Sequence, residues 1–168
     1  MPFPAAAVAN EFLTIAKAAG EKLTPMKLQK LVYFAHGWFL ALTNQPLISD
    51  RIEAWQYGPV IPTLYQHFKG YGNDAIESPM VEEYWDSGRW NVRVPQLRNL
   101  GPLADQARNI IRKVWAEYGK YSAGRLSNAT HQAGSPWEQV YDADRKGLAI
   151  PDENIKAYFR GQANAPRG

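Results

Sequence analysis

The stretch Thr24-Pro25-Met26-Lys27-Leu28-Gln29-Lys30-Leu31-Val32-Tyr33-Phe34-Ala35-His36-Gly37-Trp38-Phe39-Leu40-Ala41-Leu42 decides the fold. Leu28, Leu31, Val32, Ala35, Phe39 and Leu42 recur at spacings of three and four, which is one face of an α-helix. Trp38 widens that face. The far side carries Tyr33 and Leu40 beside Lys30 and Gly37, so the helix is apolar nearly all round, and such a helix is buried among others. Thr24 is a good N-cap, and Pro25 stands at the first helical position, where its missing N–H does no harm. Asn44 and Pro46 mark the end. The expectation is a central buried helix over about 24–43.

Working outward, Ala5 to Ala19 reads as a first helix, with Val8, Phe12, Ile15 and Ala19 on one face and Gly20 as its stop. The short link Glu21-Lys22-Leu23 implies an antiparallel or angled helix pair. On the other side, Ile52 to Tyr57 alternates and reads as extended, Gly58-Pro59 as a turn, and Pro62 as the start of a short helix with Leu64, Tyr65 and Phe68 apolar. Residues 73–99 have no helical period. Asp86-Ser87-Gly88 has turn chemistry, and Trp90, Val92 and Val94 alternate with Asn91 and Arg93. Two readings stay open there: a β-hairpin from about Val81 to Val94, or an irregular insertion.

Pro102 to Tyr118 is a second strong helix with a stripe of Leu103, Ala107, Ile110, Ile111, Val114 and Tyr118, capped at Gly119. Ser122 to Ala133 reads as helical, with Leu126, Ala129 and Thr130 inward. Ser135-Pro136-Trp137-Glu138 is a capping box with proline at the first helical position. The helix it opens is expected to bury Trp137, Val140 and Tyr141. Asp152 is the expected cap of a last helix carrying Ile155, Tyr158 and Phe159, and 161–168 reads as a flexible C-terminal tail. The sum is a mainly α, single globular domain over 1–168, with about six or seven helices and a small β element.

The 168 residues carry 45% hydrophobic and 21% charged side chains, an ordinary globular balance for one domain. Cysteine is absent, which excludes disulfides and thiolate metal sites and suits a reducing cytoplasm. No signal-peptide pattern opens the chain. The longest apolar-rich run, Leu31 to Leu42, is interrupted by His36 and too short to span a bilayer. Cytoplasmic location without a membrane is therefore expected. The net charge of +3 comes from basic and acidic residues that alternate along the chain. No basic face or run points to nucleic acid.

A search for chemistry returns little. His36, His67 and His131 lack the spaced partners of a metal motif, and His36 reads as structural. Ser127 with His131 suggests a hydrolase pair, but Ser127 falls within a helix rather than on a strained elbow, so capping and packing are the expected roles. Asp142-Ala143-Asp144-Arg145 opens like a calcium loop but lacks the later glycine and glutamate. No phosphate-binding glycine loop occurs. The helix pair around Glu21 has the outline of a helix-turn-helix, yet its second helix is too apolar to read bases. No enzyme activity, cofactor or metal is expected. What remains is aromatic. Six Trp, nine Tyr and six Phe are many for this length, and some must reach the surface. Trp55, Tyr57, Tyr65, Tyr71, Trp85 and Trp90 lie in or beside loops. They either plug a core of short elements or form a protein-contact surface.

An ordered set of motifs resembles a known family. It runs from Leu23-Thr24-Pro25-Met26-Lys27-Leu28-Gln29-Lys30-Leu31-Val32-Tyr33-Phe34-Ala35-His36-Gly37 through Ile52-Glu53-Ala54-Trp55-Gln56-Tyr57-Gly58-Pro59-Val60-Ile61-Pro62 and Tyr65. It continues with Leu126-Ser127, Thr130-His131 and Ser135-Pro136-Trp137, and ends at Ile150-Pro151 before Ile155. This set is similar to the Panacea domain, the SocA-like antitoxin family of type II toxin–antitoxin systems, also found among phage-associated proteins. The resemblance implies a mostly helical fold without enzymatic activity, and the antitoxin half of a two-gene pair. Its implied partner is a cognate toxin encoded by an adjacent gene, bound and blocked by direct contact. An alternative is an adaptor that delivers the toxin to a ClpXP-type protease; a more remote one is a nucleic-acid-binding regulator. The candidate contact residues are Trp55, Gln56, Tyr57, Tyr65 and Lys69, with Trp85 and Trp90 second. Residues 73–99 match no part of the motif set and are candidates for partner-specific contacts.

Overall fold

The computed structural model describes residues 2–98 and 100–165. Among them are seven α-helices: α1 (Ala5–Ala18), α2 (Pro25–Thr43), α3 (Pro62–Phe68), α4 (Pro102–Tyr118), α5 (Ala123–Thr130), α6 (Pro136–Val140) and α7 (Asp152–Asn164). Five short strands accompany them: β1 (Glu53–Trp55), β2 (Gly58–Val60), β3 (Glu82–Asp86), β4 (Arg89–Arg93) and β5 (Leu148–Ala149). The mainly α architecture expected from the sequence is the one observed.

The helix α2 is the axis. The Thr24 hydroxyl accepts from the Lys27 N–H at its start, and Asn44 closes it in the left-handed conformation (φ 61°). Every residue from Leu28 to Gly37 is buried. Neighbours α1, α3, α4, α5 and α7 all pack on it, which is why its sequence shows no solvent face. Leu42, placed on the apolar stripe by its spacing, is instead 60% exposed, because it lies in the last turn beyond its neighbours. The closest approach is to α7: Gly37 leaves no room for a Cβ against the Phe159 ring. Phe159 meets Tyr33, Phe34 and Trp38 edge-on, while Phe34 stacks on Tyr118 with ring centres 4.4 Å apart.

Three local expectations are corrected. Asp152 does not cap α7. Pro151 holds the N-cap position, and the Asp152 carboxylate accepts from the Nε2–H of buried His36 at 2.8 Å. His36 Nδ1 in turn accepts from the Ile48 N–H, so the ring joins α2 to α7 and to the segment after α2. The turn expected at Gly58-Pro59 lies two residues earlier, at Gln56–Tyr57, and Gly58 opens β2. Neither turn residue has positive φ; Gly58 takes it (φ 114°), as in a type I turn followed by a glycine bulge. Pro59 is tolerated because β2 is the edge of the antiparallel sheet β2-β1-β5. Finally, α6 buries Pro136 fully but Trp137, Val140 and Tyr141 only in part. The last helix runs as far as Asn164, into the stretch read as a tail; residues 166–168 lie outside those described.

Residues 73–98 contain the β-hairpin rather than an irregular insertion. Ser87 and Gly88 both have positive φ (52° and 78°), the mirror-image turn that suits strand twist. Asp86 pairs with Arg89 across the turn, which places Trp85 directly opposite Trp90. The feet of the hairpin are held by one buried side chain on α1. Asn10 accepts from the Met80 N–H and donates to the Met80 and Pro95 carbonyls, all within 3.0 Å. Asn99, included in the expected insertion, lies outside the described residues.

Candidate functional site: a tethered turn over an apolar groove

The segment from Trp55 to Ile61 is fixed to the body mainly by side chains. Trp137 Nε1 donates to the Trp55 carbonyl, and Ser127 Oγ donates to the Tyr57 carbonyl at 2.8 Å. Between them, His131 Nε2 lies 3.3 Å from the Gln56 carbonyl. From α2, Lys30 Nζ donates to the Pro59 carbonyl at 3.0 Å. Gln29 bonds both backbone groups of Ile61, donating to its carbonyl and accepting from its N–H. Strands of three residues cannot hold themselves in place. The tethers supply that rigidity: Ser127, His131 and Trp137 meet the carbonyls of Tyr57, Gln56 and Trp55 from outside the groove that the turn borders, while Lys30 and Gln29 reach Pro59 and Ile61 from its α2 wall.

In front lies a groove of about 440 Å³ between the first half of α2, the β1–β2 turn and α3. Leu28, Val60, Leu64 and Phe68 line it from the core, and Trp55, Gln56, Tyr57, Tyr65 and Lys69 form its margin. Trp55 sets its ring against Tyr65, with centres 4.7 Å apart at 66°. Trp55 Nε1 donates to Glu53, which is paired with Arg51 at 2.9 Å. Tyr57 is 63% and Tyr65 41% exposed. The groove is a size that takes a small ligand or a few protruding side chains.

The lining holds no carboxylate but does hold two amines. Lys69 Nζ donates to Gln66 on the surface. Lys30 is 2% exposed, and burial without a counter-charge pulls its pKa down to about 8.

Of the seven residues singled out in the sequence, Trp55, Gln56, Tyr57, Tyr65 and Lys69 are brought together on this one groove. Trp85 and Trp90 stand apart on the β3–β4 hairpin, 61% and 67% exposed, with ring centres 5.6 Å from each other. Tyr71 packs partly on the core. Sequence reasoning missed Gln29, Lys30 and Asn10. The signal available was polarity at positions of helices that are otherwise buried: a Gln-Lys pair inside a helix apolar all round must bond to something.

Nothing in this geometry resembles an acyl-transfer site. Ser127 Oγ is spent on Tyr57, and His131 Nδ1 lies 2.6 Å from the Ser127 carbonyl rather than its hydroxyl. Among the described residues no three His, Asp or Glu side chains are grouped to hold a metal ion, and no helix is long and apolar enough to cross a membrane.

Comparison with known proteins finds both a family model and a relative that match. Residues 28–138 match a family model described as Antitoxin SocA-like, Panacea domain. Over 162 residues the chain is 34% identical to the protein named Antitoxin SocA of Caulobacter vibrioides, covering 94% of this chain and 83% of that one. No solved structure matches. The matched segment begins inside α2 and ends in α6, so it contains the tethered turn, the side chains that tether it and all of the groove lining except Pro25 and Met26.

Proposed function

The chain belongs to the SocA-like antitoxin family that carries the Panacea domain, and from that membership we propose that it neutralises a cognate toxin protein by direct contact at the groove beside the β1–β2 turn. The observation that carries this reading is the convergence of Trp55, Gln56, Tyr57, Tyr65 and Lys69 on one apolar concavity whose margin is tethered to α2, α5 and α6. Tryptophan and tyrosine dominate interface hot spots, because they bury large area while freezing few rotors. A turn already fixed in place loses little further freedom on binding.

The test is co-expression with the product of the adjoining gene. That product alone should arrest growth, and this chain should restore it. A chain carrying Trp55→Ala and Tyr65→Ala, still folded by circular dichroism, should not. A harmless neighbour, or arrest that persists beside the wild-type chain, removes the reading.

A second reading, delivery of the bound toxin to a ClpXP-type protease, is favoured by one observation: the exposed Trp85–Trp90 pair lies outside the groove lining and offers a second surface. An adaptor needs two surfaces. Here the toxin's half-life in cells should lengthen when the protease is deleted and when Trp85 and Trp90 are both replaced by Ala. An unchanged half-life in either case removes it.

A further inference from the structure

Lys30 is the feature of the groove that its fold alone does not account for. A side chain that only had to hold the Pro59 carbonyl could be neutral. Gln29, one residue earlier, does the equivalent task for Ile61 with an amide. Instead an amine is buried there, using one of its three donors on Pro59, and no acidic side chain among the described residues pairs with it. Lys69, the other amine of the groove, donates to Gln66 and pairs with no acidic side chain among the described residues. Around them the lining is otherwise apolar or uncharged, without one Asp or Glu. Buried cations in folded proteins are ordinarily paired or coordinated. The vicinity of Lys30 is closely built: a Cβ on Gly58 would come within 2.9 Å of its Nζ and 2.7 Å of Thr130 Oγ1.

We propose that the groove receives a segment of the toxin in which an apolar side chain, seated between Trp55, Leu64 and Phe68, is accompanied by a carboxylate that pairs with Lys30. This rests on the reading of the groove as the toxin-binding surface and specifies what that surface selects. The apolar floor supplies contact area, while the amine selects: a segment bearing an amide or a cation in place of the carboxylate leaves Lys30 buried and unpaired. Lys69, at the exposed margin, draws the carboxylate in and contributes more to the rate of association than to the tightness of the complex. The carboxylate can come from an Asp or Glu side chain or from a chain terminus; the pairing chemistry is the same.

The probe is the product of the adjoining gene, co-expressed and purified with this chain, and the measurement is the dissociation constant of the pair. On this chain Lys30→Met and Lys30→Gln are made, with thermal stability recorded for each. On the partner each Asp and Glu in turn becomes Asn or Gln, and separately the C-terminus is extended by a Gly-Ser tail. The expected result is that Lys30→Met weakens binding by about thirtyfold or more. One partner carboxylate should weaken it to a similar degree when neutralised. The two changes together should cost no more than either alone. A side-chain source appears in the amide series and a terminal source in the tail extension. A folded Lys30→Met chain that binds like wild type overturns the proposal. So does a loss at Lys30 that simply multiplies with the loss at every partner carboxylate, which is the mark of a merely structural lysine. A complex that survives Trp55→Ala with Tyr65→Ala but not loss of the β3–β4 tryptophans moves the interface elsewhere and overturns it too. Failure of the wild-type pair to associate at all removes the underlying reading and this one with it.

Discussion

Two hairpins leave the helical body of this chain, each closed by a two-residue turn. The β1–β2 hairpin is three residues a side, and the backbone from Trp55 to Ile61 is held by Trp137, Ser127, Lys30 and Gln29, with His131 close by. The β3–β4 hairpin is five residues a side, and Asn10 secures it only at its feet. Beyond that it relies on itself: the Trp85–Trp90 pair, an ion pair between Arg93 and Glu82, and Arg93 lying over Tyr84. Both present tryptophan, but with different meanings. A ring beside a turn bonded to the body at successive carbonyls is set in place by the fold. A ring pair on a short ribbon first serves to keep the two strands together, since directly opposed aromatic pairs are what stabilise such ribbons. Exposure of an aromatic side chain is therefore a poor guide to recognition until one asks what fixes the backbone beneath it.

Gly58→Ala tests this contrast most severely. It would force a Cβ into a positive-φ position and against Lys30 and Thr130, so a loss of about 3–4 kcal/mol is expected in urea unfolding. The matching change in the other hairpin, Gly88→Ala, meets open space. It should cost about 1–2 kcal/mol, all of it local. Equal global losses for the two would erase the distinction.

The next largest effect is a pH dependence. In the unfolded chain Lys30 has its ordinary pKa of 10.5, while in the fold it lies at about 8. Below pH 8 both states hold the proton, and the cost of burying the charge is fully present. Between pH 8 and about 10 the folded chain releases the proton first, so stability rises with pH, by roughly 2–3 kcal/mol at most. Above about pH 10 the sign reverses. Burial holds the Tyr33, Tyr118 and Tyr158 hydroxyls above their ordinary range, so the unfolded chain ionises first. Urea midpoints from pH 7 to 11 should pass through a maximum between 9 and 10. In Lys30→Met the rising limb should flatten, with stability at pH 7 higher by about 1–2 kcal/mol.

Smaller again is Asn10→Ala, which strips the bonds at the feet of the long hairpin and leaves the Pro95 carbonyl without its partner. It should cost about 1–2 kcal/mol, with faster amide exchange confined to residues 80–95. Trp90→Ala should be the mildest: a change within about 0.5 kcal/mol in global stability, together with loss of near-ultraviolet dichroism from the Trp pair. A large global loss there would mean that this hairpin is part of the core after all.

The sequence made the helices legible where their burial is periodic or complete. Thr24-Pro25 and Ser135-Pro136 announce helix starts through local bonds, and those bonds are present. Ser87-Gly88 announces a turn by backbone chemistry alone. The groove margin was legible only as aromatic residues near loops. What could not be read were long-range polar contacts. Asp152 is a good cap by local rules, yet it is taken up by His36, more than a hundred positions away. Asn10 looks like an ordinary helix residue until the chain returns near it at Met80 and Pro95. Such pairings depend on where the backbone comes back, and no local pattern encodes that.

The seat of Phe159 over Gly37 has a consequence for how the protein is made. The axial helix α2 leaves the ribosome about 110 residues ahead of α7, the helix that covers its Gly37 side. At ordinary elongation speeds the interval is on the order of 10 s. For that time the faces of Tyr33, Phe34 and Trp38 that Phe159 covers lie open, even where Tyr118 of α4 already meets Phe34 and Trp38.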